Sequence, residues 1–112
     1  MNSKTSLASR LRHRIVIESP VRTMDGAGGF TINWKEYAET WAEILPRSGL
    51  EFVEAEQIIA TRKVVITIRY LRGLTEQMRI KYQEREFDII NILNPYEENI
   101  LLEILAEEKS GN

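Results

Sequence analysis

The sequence predicts an all-β protein, a small antiparallel β-barrel of about six strands with one short α-helix near residues 49–60 and a long glycine-tipped hairpin loop. Two observations lead to this prediction. Apolar and polar residues alternate over several short segments, as in half-buried strands. Turn-forming residues separate these segments at short intervals, which favours antiparallel neighbours. A closed barrel is preferred to an open sheet because it leaves few unpaired strand edges in a chain of 112 residues.

Composition limits the classes of protein that the chain can represent. With 43% apolar and 29% charged residues, it has the balance of a folded soluble domain. It contains no cysteine, which excludes disulfides, thiolate metal sites and cysteine nucleophiles. Its apolar runs all fall short of the ~20 residues that cross a bilayer, so we expect no membrane partner.

The first half of the chain predicts two strands joined by a glycine-rich tip. A short β-branched strand at Arg14–Glu18 is expected to stop at Pro20. The segment MDGAGGF, Met24–Phe30, then turns the chain. A long strand follows from about Phe30 to Leu45 and ends at Pro46. Because its aromatic residues do not keep one strict period of two, we expect a bend or bulge within it.

A single helix is predicted near residues 49–60. Ser48 and Glu51 have the spacing of a capping box, in which the serine oxygen accepts from a backbone N–H three residues on. Apolar residues then recur at helical spacing, with glutamates near the start, where the helix dipole favours negative charge. These apolar residues are Phe52, Ala55, Ile58 and Ile59.

The second half is predicted to consist of strands throughout. The first of them has Val64, Ile66, Ile68 and Tyr70 on one face and Thr67 and Arg69 on the other, since alternate residues of a strand point the same way. The predicted strands are Val64–Tyr70, Met78–Tyr82, Phe87–Leu93 and Ile100–Leu105. Turns at residues 71–74 and 83–84 and the Asn94-Pro95-Tyr96 breaker separate them.

The chain is expected to divide into a flexible N-terminal arm at residues 1–9, a single barrel domain at 10–107 and a flexible tail at 108–112. Basic residues dominate the first fourteen positions, and glutamates dominate residues 97–112. These opposite charges either meet in a ring of identical subunits or belong to solvated termini, and the sequence leaves both readings open.

Residues suited to catalysis are scarce. His13 is the single histidine, and it lies between two arginines beside a predicted strand, a setting more typical of a structural or surface residue than of a catalytic one. The glycine segment has neither the G-x-G-x-x-G spacing nor the Lys-Ser/Thr pair of a phosphate-binding loop. No cluster of metal-ligating residue types is apparent. We therefore predict a protein that is not an enzyme and needs no cofactor, metal or small-molecule substrate.

A small-barrel nucleic-acid-binding module is the alternative function. Basic residues are frequent between residues 62 and 85, and several are expected to share the outer face of adjacent strands. Arg69, Arg79 and Lys81 are the predicted contacts to DNA in a channel. Glutamates balance these charges, and no aromatic residue lies among the outward positions of Val64–Tyr70. An ordinary solvated sheet face is therefore the stronger interpretation.

Four segments together resemble one known family. They are LRHRIVIESPV at 11–21, DGAGGFTINW at 25–34, TWAEILPRSGLE at 40–51 and RKVVITIRYLRGLTEQMRIKYQEREFDIINI at 62–92. In their order and spacing they resemble the head–tail joining proteins of tailed bacteriophages and prophages, which are also called head–tail adaptor, head closure or stopper proteins. The resemblance extends from about residue 9 to residue 106.

The resemblance implies a small β-barrel protein that assembles as a ring in the connector beneath the portal. There it would join the DNA-filled capsid to the tail and help to close the channel against DNA leakage. The implied partners are other copies of itself, a portal-side adaptor and a tail-side terminator, and packaged DNA is a further partner that this position allows. The implied location is the host bacterial cytoplasm during assembly and then the virion.

In proteins of this kind the long loops carry the contacts between subunits and between rings. By position, these loops correspond to Val21–Thr31 and Arg47–Arg62. The contact residues predicted on this basis are Asp25, Gly26, Gly28, Gly29, Phe30, Arg47, Ser48, Phe52 and Glu54. The glycine tip is interpreted as a flexible contact element, with an ordinary hairpin turn as the alternative.

Overall fold

The computed structural model describes residues 6–47 and 62–109 in full, and the backbone of residues 51–54 and 57–60. One short helix, α1, spans Leu7–Arg10. The strands are β1 (His13–Met24), β2 (Phe30–Pro46), β3 (Glu51–Glu54), β4 (Gln57–Ala60), β5 (Lys63–Arg69), β6 (Arg79–Tyr82), β7 (Arg85–Leu93) and β8 (Leu101–Glu108). A 3₁₀ turn at Pro95–Glu97 joins β7 to β8.

Six of these strands form a closed antiparallel barrel in the order β1-β2-β5-β8-β7-β6. The barrel closes because β6 pairs with β1, where Ile17 lies opposite Ile80. Apolar side chains fill the interior, and the largest fully buried ones are Phe87, Ile15, Ile17, Ile66, Ile68, Ile80 and Ile104. The predicted all-β class and the barrel of about six strands are confirmed.

The first strand is longer than predicted, because β1 continues through Pro20 to Met24. Pro20 pairs with Trp34 of β2, whereas the pairing of β1 with β6 stops at Glu18. In the described structure, Pro20 therefore lies where β1 has no neighbour on its other edge. A missing N–H costs no ladder hydrogen bond on such an edge, which explains why the proline does not end the strand.

The second strand contains the predicted irregularity. The pairing of β1 with β2 shifts by one residue after Ile17, which leaves Tyr37 as an extra residue on β2. Such a β-bulge bends the strand and re-aims the side chain. The Tyr37 hydroxyl donates a 2.7 Å hydrogen bond to the backbone carbonyl of Arg72. This bond ties the long strand to the turn that precedes β6.

Gly73, in the same turn, has a φ of +90°, and the Tyr37 hydroxyl lies against the position that a Cβ would occupy. We expect Gly73→Ala to lower the free energy of unfolding by about 2–3 kcal/mol, because left-handed strain adds to the loss of the Tyr37 hydrogen bond when the new methyl group displaces the hydroxyl. Urea unfolding followed by tryptophan fluorescence measures this loss.

Gly26→Ala is the matched control for Gly73→Ala. Gly26 has a φ of +80° but open space around its Cα, so this variant should lose only about 1–2 kcal/mol from strain. Equal losses in the two variants would contradict a steric contribution from Tyr37.

The helix predicted near residues 49–60 is wrong, because this segment contains two paired strands. Glu51 lies opposite Ala60 and Glu54 opposite Gln57, so that β3 and β4 form a hairpin separate from the barrel. Aromatic and β-branched residues are frequent in the segment and favour extended backbone over helix. Ser48, the predicted cap, lies outside the described residues.

The strands and turns predicted for the second half are confirmed, with strand ends shifted by up to three residues. Val64, Ile66 and Ile68 are all buried in the core, as their alternation predicted, but Tyr70 follows the end of β5 and is exposed, and Thr67 on the opposite face is buried. Gln83 has a φ of +56° in the two-residue turn between β6 and β7. The turn therefore forms without the Asn-Gly or Asp-Gly pair that such hairpins favour.

Candidate functional site

The candidate site is a two-stranded projection of the barrel, which we call the ribbon: Ser19–Met24 of β1 paired with Phe30–Lys35 of β2. The β6 ladder on β1 stops at Glu18, and the β5 ladder on β2 begins only at Ala42. Six residue pairs extend about 20 Å. The Cα radius of gyration is accordingly 16.5 Å, above the ~13 Å of a compact domain of this length.

The two faces of the ribbon differ in polarity. Directly opposed residues share a face, and alternate residues along each strand do so too. The apolar ribbon face consists of Pro20, Arg22, Met24, Phe30, Ile32 and Trp34, and the polar ribbon face of Ser19, Val21, Thr23, Thr31, Asn33 and Lys35. On the polar face, the Asn33 amide donates to the Thr23 hydroxyl at 3.2 Å.

The apolar ribbon face is open to solvent in the single chain. Met24 is 74% exposed, Ile32 51% and Phe30 45%. Several large apolar side chains on one narrow face are costly to leave in water, and such patches mark sites of protein contact. The apolar ribbon face is therefore the best contact surface among the described residues.

Arg22 gives the apolar ribbon face a positive charge. Its guanidinium carbon lies 3.8 Å from the centroid of the Phe30 ring, a cation–π contact. Among the described residues it has no ion-pair partner. The charge therefore remains available to a carboxylate on another molecule.

The glycine tip is an ordered turn closed by Asp25. A carboxylate oxygen of Asp25 accepts from the backbone N–H of Ala27 at 2.8 Å and of Gly29 at 3.0 Å. These two hydrogen bonds lower the pKa of Asp25, and the one from Ala27 has the larger effect. Gly26 and Gly28 have φ values of +80° and +87°, which side-chain-bearing residues rarely adopt. The tip thus has a defined shape that presents the ribbon end.

The base of the ribbon is held by Arg79 of β6. Its guanidinium binds Glu18 at 2.7 Å and Glu86 at 2.8 Å, and it covers the Trp34 ring with 4.1 Å to the centroid. Lys109 adds a third contact, 3.2 Å from Glu86. Because the Arg79 side chain is only 17% exposed, these pairs are shielded from water and fix the direction in which the ribbon leaves the barrel.

A second surface lies on the outer face of β5, β8 and β7, and we call it the outer groove. Its cavity of about 170 Å³ is lined by Arg47, Val65, Asn91, Leu93, Glu103 and Leu105. Leu45 pairs with Val65, which pairs with Leu105, so an apolar row crosses three strands. Leu45 and Leu93 are 50% and 52% exposed. The Glu103 carboxylate at the rim forms no ion pair among the described residues, although its charge contributes to the raised pKa of Arg10.

The predicted contact residues do not form one site. Asp25, its glycines and Phe30 lie at the ribbon tip, whereas Arg47 follows the other end of β2 and lines the outer groove. The ribbon tip and Arg47 lie at opposite ends of β2, whose seventeen residues span about 50 Å at most. The strand β3 carries Phe52 and Glu54, described by backbone alone, and Ser48 lies outside the described residues. As contacts, all of them stay predictions.

Sequence reasoning named Phe30 and Arg47 but missed the other principal residues of both surfaces. Phe30, Ile32 and Trp34 alternate with polar residues, and this period of two could have identified the apolar ribbon face. The outer groove had no such signal. Its residues come from strands far apart in the sequence, and they meet only through the barrel pairing.

The three predicted DNA contacts lie on β5 and β6, which are not neighbours, although β6 does adjoin β7 with Arg85. Arg69 belongs to β5, whereas Arg79 and Lys81 belong to β6. These two strands lie on opposite sides of the barrel. Arg69 lines an open cleft of about 320 Å³ with Ala8, Leu11 and Trp41. The charge of Arg79 is neutralised by its two glutamates. Contact of these residues with DNA stays a prediction.

His13 has a structural role in the barrel wall. Its Nδ1 lies 3.0 Å from the Tyr82 hydroxyl, and the two rings meet edge to face. In the part of the chain that the structure describes, no group of three or more His, Cys, Asp or Glu side chains is placed to hold a metal ion. Over the same residues, no helix is both long enough and apolar enough to span a membrane.

Comparisons with solved structures find the same fold in two proteins. A chain from the virion of a native gene transfer agent particle is 30% identical with a TM-score of 0.68, and the match covers 89% of this chain and 96% of that one. The solution structure of protein SF1141 from Shigella flexneri 2a is 28% identical with a TM-score of 0.72, covering 96% and 100%. No curated protein matches the chain.

The family model described as phage head completion protein matches residues 7–109. This range includes all six barrel strands, the ribbon and the outer groove. The match agrees with the resemblance to phage connector proteins that the sequence carries. The chain therefore belongs to the phage head completion protein family, a family of virion structural proteins.

Proposed function

We propose that the protein forms a ring in the head–tail connector below the portal, where it joins the DNA-filled capsid to the tail and helps to close the DNA channel. The observation that carries this proposal is the apolar ribbon face, which has no partner within the described chain. A head completion protein must bind other virion proteins, and the ribbon is the surface best built for it.

The ribbon suits a contact that forms only during assembly. Its backbone is paired and its base is anchored through Arg79, so little conformational entropy is lost on docking. The exposed apolar side chains supply the contact area. The partners are the portal-side adaptor, the tail-side terminator and further copies of this chain. Assembly takes place in the cytoplasm of the bacterial host, and the protein then remains in the virion.

The nucleic-acid-binding alternative has less support. A binding groove needs several uncompensated basic residues on one surface. Here Arg79 is paired with two glutamates, and Arg69 lies on the far side of the barrel. We therefore do not propose that the protein binds single-stranded nucleic acid directly.

A double substitution on the apolar ribbon face tests the proposed function. We expect Phe30→Glu/Ile32→Glu to abolish incorporation into particles, because two carboxylates on this face would weaken a buried contact by at least about 2 kcal/mol, about thirtyfold in affinity per subunit. The measurement is complementation of a phage that lacks its own copy, scored by infectious titre and by the amount of the protein in purified particles.

The matched control is Thr31→Glu/Asn33→Glu, which places the same two residues on the polar ribbon face of the same strand. This control should complement like the unchanged protein. If both double variants complement equally well, the apolar ribbon face is not a contact surface and the proposal fails.

A further inference from the structure

Two unpartnered apolar surfaces lie at opposite ends of one strand. The apolar ribbon face includes the start of β2, and the outer groove adjoins its end, where Leu45 pairs with Val65. Because one continuous strand separates the two surfaces, a subunit cannot fill its own groove. Within the described residues, neither surface is covered by the other, which leaves each of them to another molecule or to solvent.

The two surfaces match in size. On the ribbon, Phe30, Ile32 and Trp34 are alternate residues of one strand, so their side chains extend over about 13 Å. The outer groove crosses from β2 over β5 and β8 to β7, which at the spacing of paired strands is about 14 Å, and its apolar row from Leu45 to Leu105 takes up about 10 Å of this. The row of ribbon side chains thus has about the length of the whole groove.

One pair of opposite charges can form between the two surfaces. Arg22 lies among the apolar residues of the ribbon, and Glu103 lies at the rim of the outer groove, which Arg47 also lines. Neither Arg22 nor Glu103 forms an ion pair among the described residues, although the charge of Glu103 contributes to the raised pKa of Arg10. A guanidinium and a carboxylate that meet at the edge of an apolar contact fix its register and disfavour other partners.

From these observations we propose that the apolar ribbon face of one subunit seats in the outer groove of the next identical subunit, with Arg22 against the neighbour's Glu103. The inference rests on the proposed function, since it names the contact that builds the ring. The contact is head-to-tail, because the two surfaces are different parts of the chain. Repeated contacts of this kind close into a ring when the rotation between subunits divides a full turn.

Engineered disulfides test the contact directly, because the natural chain has no cysteine. We expect Ile32→Cys/Leu105→Cys to give, after mild oxidation of purified particles, a ladder of multimers that continues beyond the dimer on a non-reducing gel. A ladder arises only if each subunit meets two neighbours through different surfaces. The matched control, Val21→Cys/Leu105→Cys, puts the first thiol on the polar ribbon face and should remain mostly monomeric.

The outcomes separate this inference from the proposed function. Particles that lack even the unchanged protein would refute the proposed function. Particles that contain the Ile32→Cys/Leu105→Cys variant but give no ladder, or give a band with a different virion protein, would refute only the contact between copies. An equal ladder from the Val21→Cys control would also refute it, because the contact would then not be specific to the apolar face.

Exchanging the charges of Arg22 and Glu103 tests the contact between subunits independently. This test also applies if the cysteine variants fail to enter particles. We expect Arg22→Glu and Glu103→Arg each to reduce incorporation about tenfold, and the combined variant to restore it to within about twofold. Independent losses that multiply in the combined variant, or no loss in either single variant, would overturn the proposed pairing. Circular dichroism of each purified variant checks that the fold is unchanged.

Discussion

Phe87→Ala is expected to lower the free energy of unfolding by about 3–5 kcal/mol, the largest loss that we predict for a single substitution. Phe87 is the largest of the fully buried side chains, and it pairs with Ile80 on β6, the strand that closes the barrel against β1. Its removal leaves a cavity that the surrounding strands cannot collapse to fill. Since small domains are stable by only about 5–15 kcal/mol, urea unfolding should show a midpoint far below that of the unchanged protein.

Ile90→Ala on the same strand is the control for Phe87→Ala. Ile90 is the extra residue at a second register shift, between Ile89 and Asn91, and its side chain is 40% exposed. Its truncation should cost less than about 1 kcal/mol. Losses of similar size in both variants would contradict the assignment of Phe87 to the barrel core.

Arg79→Met is expected to lower the free energy of unfolding by about 2–3 kcal/mol, because it leaves two partly buried carboxylates without their shared cation. Methionine keeps an apolar stem over Trp34, so most of the packing survives. The side chains of Glu18 and Glu86 are only 19% and 25% exposed, and water compensates them incompletely. Thermal or urea unfolding at pH 7 measures the loss.

Arg85→Met is the matched control, since Arg85 also binds a glutamate, Glu108 at 3.0 Å, but is 43% exposed. Exposed pairs of this kind contribute less than about 1 kcal/mol. If both arginine variants lose the same amount, then Arg79 does not owe its effect to burial of its ion pairs.

The pH dependence identifies the electrostatic part of the Arg79 effect. Burial alone would raise the pKa of Glu86, but a hydrogen bond from Lys109 and the charge of Arg79 bring it below its ordinary value of 4.5. A lowered carboxyl pKa contributes stability above its ordinary range, and the contribution is lost as the pH falls through the lowered value. The difference between unchanged protein and Arg79→Met should therefore be full at pH 7 and shrink as the pH falls through the lowered pKa of Glu86. A difference that stays constant would assign the loss to packing on Trp34.

The errors of sequence interpretation have identifiable physical causes. Pro20 was expected to end β1, but a proline is harmless on a strand edge that no neighbour occupies, and only the sheet order reveals such an edge. The segment at 51–60 has apolar residues at spacings that suit a helix and residue types that suit a strand. In so short a segment, periodicity alone could not decide between the two structures.

The bulge at Tyr37 shows the opposite case, in which local pattern was sufficient. The aromatic residues of β2 break the period of two, and the structure has its register shift in that stretch. A one-residue slip moves every following side chain to the other face, so such a break is visible in the sequence itself. Its consequence, the hydrogen bond from Tyr37 to the turn at Arg72, was not visible there.

By itself, the sequence determined the six strands of the barrel, the apolar core residues of β5, the glycine tip and the resemblance to a phage connector family, because alternation and turn residues act within a few positions of the chain. Only the tertiary structure decided that Arg69 and Arg79 lie on opposite sides of the barrel and that Val65, Leu93 and Leu105 share one groove. Which strands become neighbours depends on long-range pairing and register, and a pattern with period two is the same for every possible order of the strands.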